Sequence, residues 1–167
     1  MLKMATEKNK SKEIKLSNLL KEKLVNLDLK GKNKKQIIAE LVELIAKSGK
    51  LNNKKAFFKI IVNREKLGST GIGNGVAIPH GRSKEIRDFV LVFARKSEGI
   101  DFGALDGEKT YLFFALASPE AEVGGHLKIL AEISRLFKDK FIVDLLKKAE
   151  DKPKVLKIIS SAVKTSL

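Results

Sequence analysis

FVLVFAR, residues 89–95, and YLFFALA, residues 111–117, decide the fold. Neither run alternates apolar with polar residues. Each is short, continuous and bounded by turn signals, which predicts a central strand covered on both faces. Helices must supply the cover. Lys34 to Lys47 is a strong amphipathic pattern, with Ile37, Ile38, Leu41, Leu44 and Ile45 on one stripe and Gly49 placed as its stop. Asn52 or Asn53 can cap a second helix that buries Ala56, Phe57, Ile60 and Ile61 and ends near Arg64–Leu67. Beyond the second strand, Gly125 to Phe137 carries Leu127, Ile129, Leu130, Ile133, Leu136 and Phe137, the pattern of a buried helix. A short helix over 139–147 follows, and Pro153 suits the first turn of a last helix, Lys154–Val163.

The flanks read more weakly. Leu16, Leu19, Leu20 and Leu24 mark a short helical or turn stretch, and Asp28–Gly31 a turn. Ile100–Phe102 and Gly103–Gly107 read as a strand end and its turn. No internal repeat is visible. The order of elements predicts an α/β fold: a single domain with a mixed central β-sheet flanked by helices, over residues 15–163, after a flexible polar segment over 1–14.

Composition narrows the function. At 167 residues the chain suits one domain with a sizeable core. It has no cysteine, which excludes disulfides, thiolate zinc sites and a cysteine nucleophile. No apolar run approaches ~20 residues, so no membrane insertion is expected. The polar N-terminus lacks a signal-peptide core, and the cytoplasm is the expected compartment. The formal net charge is +14, and 16 Lys against 6 Asp/Glu fall in residues 1–60. That half has no arginine and only two aromatics, Phe57 and Phe58, so it lacks the side chains that read or stack on bases. No nucleic-acid partner is expected; the lysines read as a solvated face.

Between the second helix and the first strand lies GSTGIGNGVAIPHG, residues 68–81, with five glycines in fourteen positions. It reads as a loop of unusual backbone angles or close approach. It matches neither GxGxxG nor a Walker loop, so no nucleotide cofactor is expected. Two histidines without cysteine or an HExxH pattern make an incomplete metal set, so no metal is expected. His80 is framed by Pro79 and Gly81, as if held for presentation. Neutral imidazole is a good nucleophile toward phosphorus and a good leaving group afterwards. Hydroxyls of Ser69 and Thr70, the N–H groups of Gly71–Gly75, an arginine, and His126 at a helix start could converge on one phosphate.

REKLGSTGIGNGVAIPHGR, residues 64–82, resembles the active-site segment of enzyme IIA domains of the bacterial phosphoenolpyruvate-dependent sugar phosphotransferase system, fructose/mannitol type, which includes nitrogen-related regulatory proteins. GGHLKILAEISRLF, residues 124–137, is similar to the family's second signature segment. The resemblance implies a phosphotransferase in which His80 takes a phosphoryl group from the phosphocarrier protein HPr, on Nε2. It implies that His126 and Arg64 are active-site partners, with Ser69, Thr70, Gly71 and Gly73 shaping the phosphate pocket. The acceptor would be a cysteine of an enzyme IIB domain, or a regulatory protein target in a stand-alone nitrogen-related relative. Donor and acceptor would dock over His80, with Ile72, Val76, Ile78 and residues near Glu120–Gly125 as candidate contacts.

Overall fold

The computed structural model describes residues 14–165, so the segment expected to be flexible lies, apart from Ile14, outside the described residues. The two apolar runs form the long central pair. Strand β5 (Val90–Ile100) and strand β6 (Thr110–Pro119) are antiparallel, in register from Val90↔Ala117 to Arg95↔Leu112. Side chains alternate across the pleat. Leu91, Phe93, Leu112, Phe114 and Leu116 enter one apolar layer, and Val90, Val92, Ala94, Phe113, Ala115 and Ala117 enter the other. Two buried faces explain why neither run alternates.

One layer is covered by helix α2 (Lys34–Ala46) and helix α3 (Lys54–Lys66). Asn33 caps α2 by accepting from Gln36 N at 2.9 Å, and Asn53 caps α3 by accepting from Ala56 N at 3.0 Å. Gly49, at φ 73°, follows the end of α2. The other layer is covered by helix α4 (Val123–Leu136), helix α5 (Lys140–Lys148) and helix α6 (Lys152–Thr165), with the four-residue helix α1 (Leu16–Leu19) against them. A short strand β1 (Val25–Asn26) joins β5 in parallel, and no local periodicity announced it.

The glycine-rich segment is not a single loop. It contains strands β2 (Gly71–Gly73), β3 (Val76–Ala77) and β4 (His80–Ser83). Both β3 and β4 pair in parallel with β6, through Val76↔Leu112 and His80↔Leu116. The sheet order is β1-β5-β6-β3-β2, with β4 further along the same edge of β6. Strands this short are held by distant partners rather than by their own composition. Val76 and Ile78, expected on a docking rim, are core residues at 0% and 3% exposure. Ile72 is exposed, on β2.

Gly81 shows why this segment needs a residue without a side chain. A Cβ there would sit 2.8 Å from Ile60 Cγ2 and 3.2 Å from Ile61 Cδ1. Helix α3 therefore lies directly on β4, which carries Arg64 to His80. Gly81→Ala is expected to cost about 1–3 kcal/mol through overpacking. Thermal unfolding should report this as a Tm lowered by roughly 2–4 °C per kcal/mol.

Candidate active site

Strand β4 opens with His80, and the residue before it, Pro79, is buried and accepts Leu116 N–H at 3.0 Å. The His80 ring is half-buried. Its Nδ1 lies 2.7 Å from the Ile78 carbonyl oxygen. A carbonyl only accepts, so Nδ1 carries the proton and Nε2 keeps its lone pair. Arg64, in the last turn of α3, donates from Nε to that Nε2 at 3.3 Å and from a terminal nitrogen to Gly68 O at 2.8 Å.

The second histidine arrives from the other side. His126 sits in the first turn of α4 and is 5% exposed. Its own N–H is committed to Glu122 O, so the unpaired N–H groups of this helix start belong to the residues before it. The two imidazole centroids are 5.4 Å apart. His126 Nδ1 is 2.7 Å from Ser118 Oγ, a fully buried hydroxyl at the end of β6. Arg82, two residues beyond His80 on β4, is the second cation of the site and donates to Glu120 O at 2.7 Å. Arg64, His80, Arg82 and His126 line an open cleft of about 430 Å³ whose apolar wall is Ile60, Val123, Leu127 and Leu130.

Sequence reading and structure part company at several of these positions. Leu127, expected in the buried helix face, is 60% exposed at the cleft. It lies off the stripe of Ile129, Ile133 and Leu136 that faces the core. Ile60 is half-buried and faces the cleft. Ser69, Thr70, Gly71 and Gly73, expected to shape the phosphate pocket, are not among the cleft's lining residues. Ser69 Oγ donates to Phe102 O at 2.9 Å and accepts from Gly71 N at 3.0 Å. Thr70 donates both its N–H and its hydroxyl to Glu65. Gly73 lies against Asp106. Thr70 thus braces the end of α3, while Ser69 ties the segment to Phe102. Glu65 is buried and also pairs with Lys34 Nζ at 2.7 Å, tying α3 to the start of α2. That brace fixes the backbone next to Arg64.

Arg82, Ser118 and Glu65 escaped the sequence reading. Arg82 had a usable signal: two positions along a strand from His80, it shares that residue's face. Ser118 had none, because a non-local strand pairing places it beside Arg82 in the register.

Both rings are held neutral. Burial pushes the His80 imidazole below its usual range, and the Arg64 guanidinium adds to this, while the Ile78 carbonyl opposes it. Burial, then His80 and Arg82, lowers His126 to about 4. At pH 7, His80 Nε2 therefore carries no proton and accepts from Arg64 amid positive charge. Folding is linked to pH as well. Between pH 6.5 and about 4 the unfolded chain binds the His126 proton and the folded chain does not. Stability is therefore expected to be full above pH 6.5 and to fall by up to about 3 kcal/mol toward pH 4. Urea unfolding of the wild type and His126→Asn across this window checks it: the variant should show a flatter pH dependence.

Among the described residues no group of three or more His, Asp or Glu is placed to hold a metal ion. No described helix is long and apolar enough to cross a membrane. Two unlike histidines and two arginines, Arg64 and Arg82, thus converge on an open cleft at the edge of a mixed sheet. Residues 18–162 match the family "Phosphoenolpyruvate-dependent sugar phosphotransferase system, EIIA 2". The chain belongs to that family. It is 39% identical over 134 residues to a nitrogen regulatory protein of Bradyrhizobium diazoefficiens, covering 79% of this chain and 86% of that one. It is 35% identical over 147 residues to the fructose-specific EIIABC component of Bacillus subtilis, covering 88% of this chain but only 23% of that longer protein. The nitrogen regulatory protein IIA-Ntr of Neisseria meningitidis shares the fold at a TM-score of 0.80 and 34% identity, over 86% of this chain and 97% of that one.

Proposed function

We propose that the protein is a phosphohistidine carrier that acts in the cytoplasm. His80 Nε2 attacks the phosphorus of the phosphohistidine on HPr. The new Nε2–P bond forms as the donor's N–P bond breaks, and the bonding pair returns to the donor ring nitrogen. The His80 proton stays on Nδ1. Arg64 and Arg82 face the equatorial oxygens and neutralise their charge. An enzyme IIB cysteine thiolate then attacks the same phosphorus, as in fructose/mannitol-type sugar uptake. The observation that carries this reading is the Nδ1–Ile78 hydrogen bond, which leaves the bare nitrogen beside a guanidinium. The apolar wall of Val123, 47% exposed, and Leu127 gives donor and acceptor a common docking surface.

Mixing the chain with phosphoenolpyruvate, enzyme I and HPr tests the proposal. Intact mass should rise by one acid-labile phosphoryl group; an unchanged mass with an active donor pair overturns it. The likeness to two nitrogen regulatory proteins along nearly their whole lengths favours a second reading, in which the phosphorylation state controls a protein target. Transfer from the phosphorylated chain to a IIB cysteine separates the two: uptake requires it, and control of a target does not.

A further inference from the structure

We propose that Ser118 fixes His126 as its Nε2–H tautomer, so that this ring offers a hydrogen-bond donor to the phosphoryl group on His80. The use of that donor rests on the phosphocarrier reading; the tautomer does not.

The inference comes from accounting for one buried proton. Ser118 is 0% exposed, and among the described residues its hydroxyl has a single hydrogen-bond partner, His126 Nδ1 at 2.7 Å. A hydroxyl can accept from an N–H, but it must also dispose of its own proton. If Nδ1 carried the hydrogen, the Ser118 O–H would be sealed in the protein with nothing to receive it, an arrangement that buried polar groups avoid. If the hydroxyl donates to a bare Nδ1, that proton is satisfied. The imidazole hydrogen is then on Nε2, the ring nitrogen with no partner among the described residues, and the ring lines the cleft. His126 is neutral at pH 7, so one nitrogen must be bare.

The two histidines then hold opposite tautomers, each set by an oxygen behind the ring. The Ile78 carbonyl keeps the His80 proton on Nδ1 and leaves Nε2 bare. Ser118 does the reverse for His126. With centroids 5.4 Å apart, one ring supplies the nucleophile and the other a donor for the phosphoryl oxygens. His126 makes a hydrogen bond and gives up no proton. Ser118 is a positioning residue, since it touches only the imidazole.

Long-range proton–nitrogen NMR of the histidine-labelled full chain at pH 7 reads the ring nitrogens directly. The wild type should show His126 with Nε2–H and bare Nδ1, and His80 with the opposite pattern. In Ser118→Ala an Nδ1–H population should appear at His126. Its maximal rate of phosphorylation by HPr should fall about two- to tenfold, with KM for the donor unchanged. Ser118→Thr keeps an O–H donor and should restore both. A wild-type His126 that is Nδ1–H or doubly protonated overturns the proposal, and that result needs no variant to fold. A Ser118→Ala spectrum with the wild-type tautomer also overturns it. If the wild type shows both tautomers as expected yet takes no phosphoryl group, the phosphocarrier reading fails while the role of Ser118 stands.

Discussion

His80→Ala is expected to leave the chain folded and to remove phosphoryl uptake, with a loss on the order of 10⁴-fold or more. The fold should survive because the ring is half-buried and its loss gives up two hydrogen bonds, to Ile78 O and from Arg64 Nε. Each is worth about 1 kcal/mol net. No other ring can substitute. His126 is buried, its Nδ1 is engaged by Ser118, and its own role is on the opposite wall. Intact mass after incubation with enzyme I, HPr and phosphoenolpyruvate gives the activity, and circular dichroism gives the fold. A variant that still gains an acid-labile phosphoryl group would place the nucleophile elsewhere.

Arg64→Ala is expected to slow phosphorylation about a hundredfold. The guanidinium contacts His80 Nε2, so in the proposed mechanism it faces the charge that develops on the phosphoryl oxygens, and losing one such donor typically costs 10²–10³. Arg64→Lys should recover little, because a point charge cannot span Gly68 O and His80 Nε2 as the planar fork does. A second readout separates this from misfolding. Arg64 helps to lower the His80 pKa, so its removal should move the acid limb of the pH–rate profile to higher pH. Rapid-quench kinetics between pH 5 and 8 would show both effects. An unmoved acid limb would mean that the guanidinium does not face the ring in solution.

How far the sequence discloses this molecule depends on the range of the forces involved. The central strand pair is legible from two continuous apolar runs, and helices α2 to α6 from local apolar periodicity, with Asn caps at α2 and α3. Strands β2, β3 and β4 are not, since two to four residues with interspersed glycine carry no period. Pairing with β6 alone makes them strands. The same cause hid the burial of Val76 and Ile78. At the site, the fold brings His80, Arg64 and His126 together. Ser69 and Thr70 looked like phosphate donors because hydroxyls in a glycine-rich loop usually have free protons. Here Phe102 O and the Glu65 carboxylate take them, and both lie in parts of the chain that a motif does not display. Ser118 and Arg82 meet across a parallel register that only the folded sheet creates.

In the proposed phosphocarrier cycle, the Ile78 carbonyl has a second consequence once His80 is loaded. Attack through Nε2 turns the ring into an N-phosphoryl imidazolium as long as Nδ1 keeps its hydrogen. The carbonyl behind the ring favours that hydrogen staying in place. A ring that departs with Nδ1–H leaves as neutral imidazole, whereas a ring stripped of it would have to leave as an anion, far more slowly. One main-chain oxygen therefore governs discharge as well as loading. It keeps the nitrogen–phosphorus bond labile toward the next nucleophile.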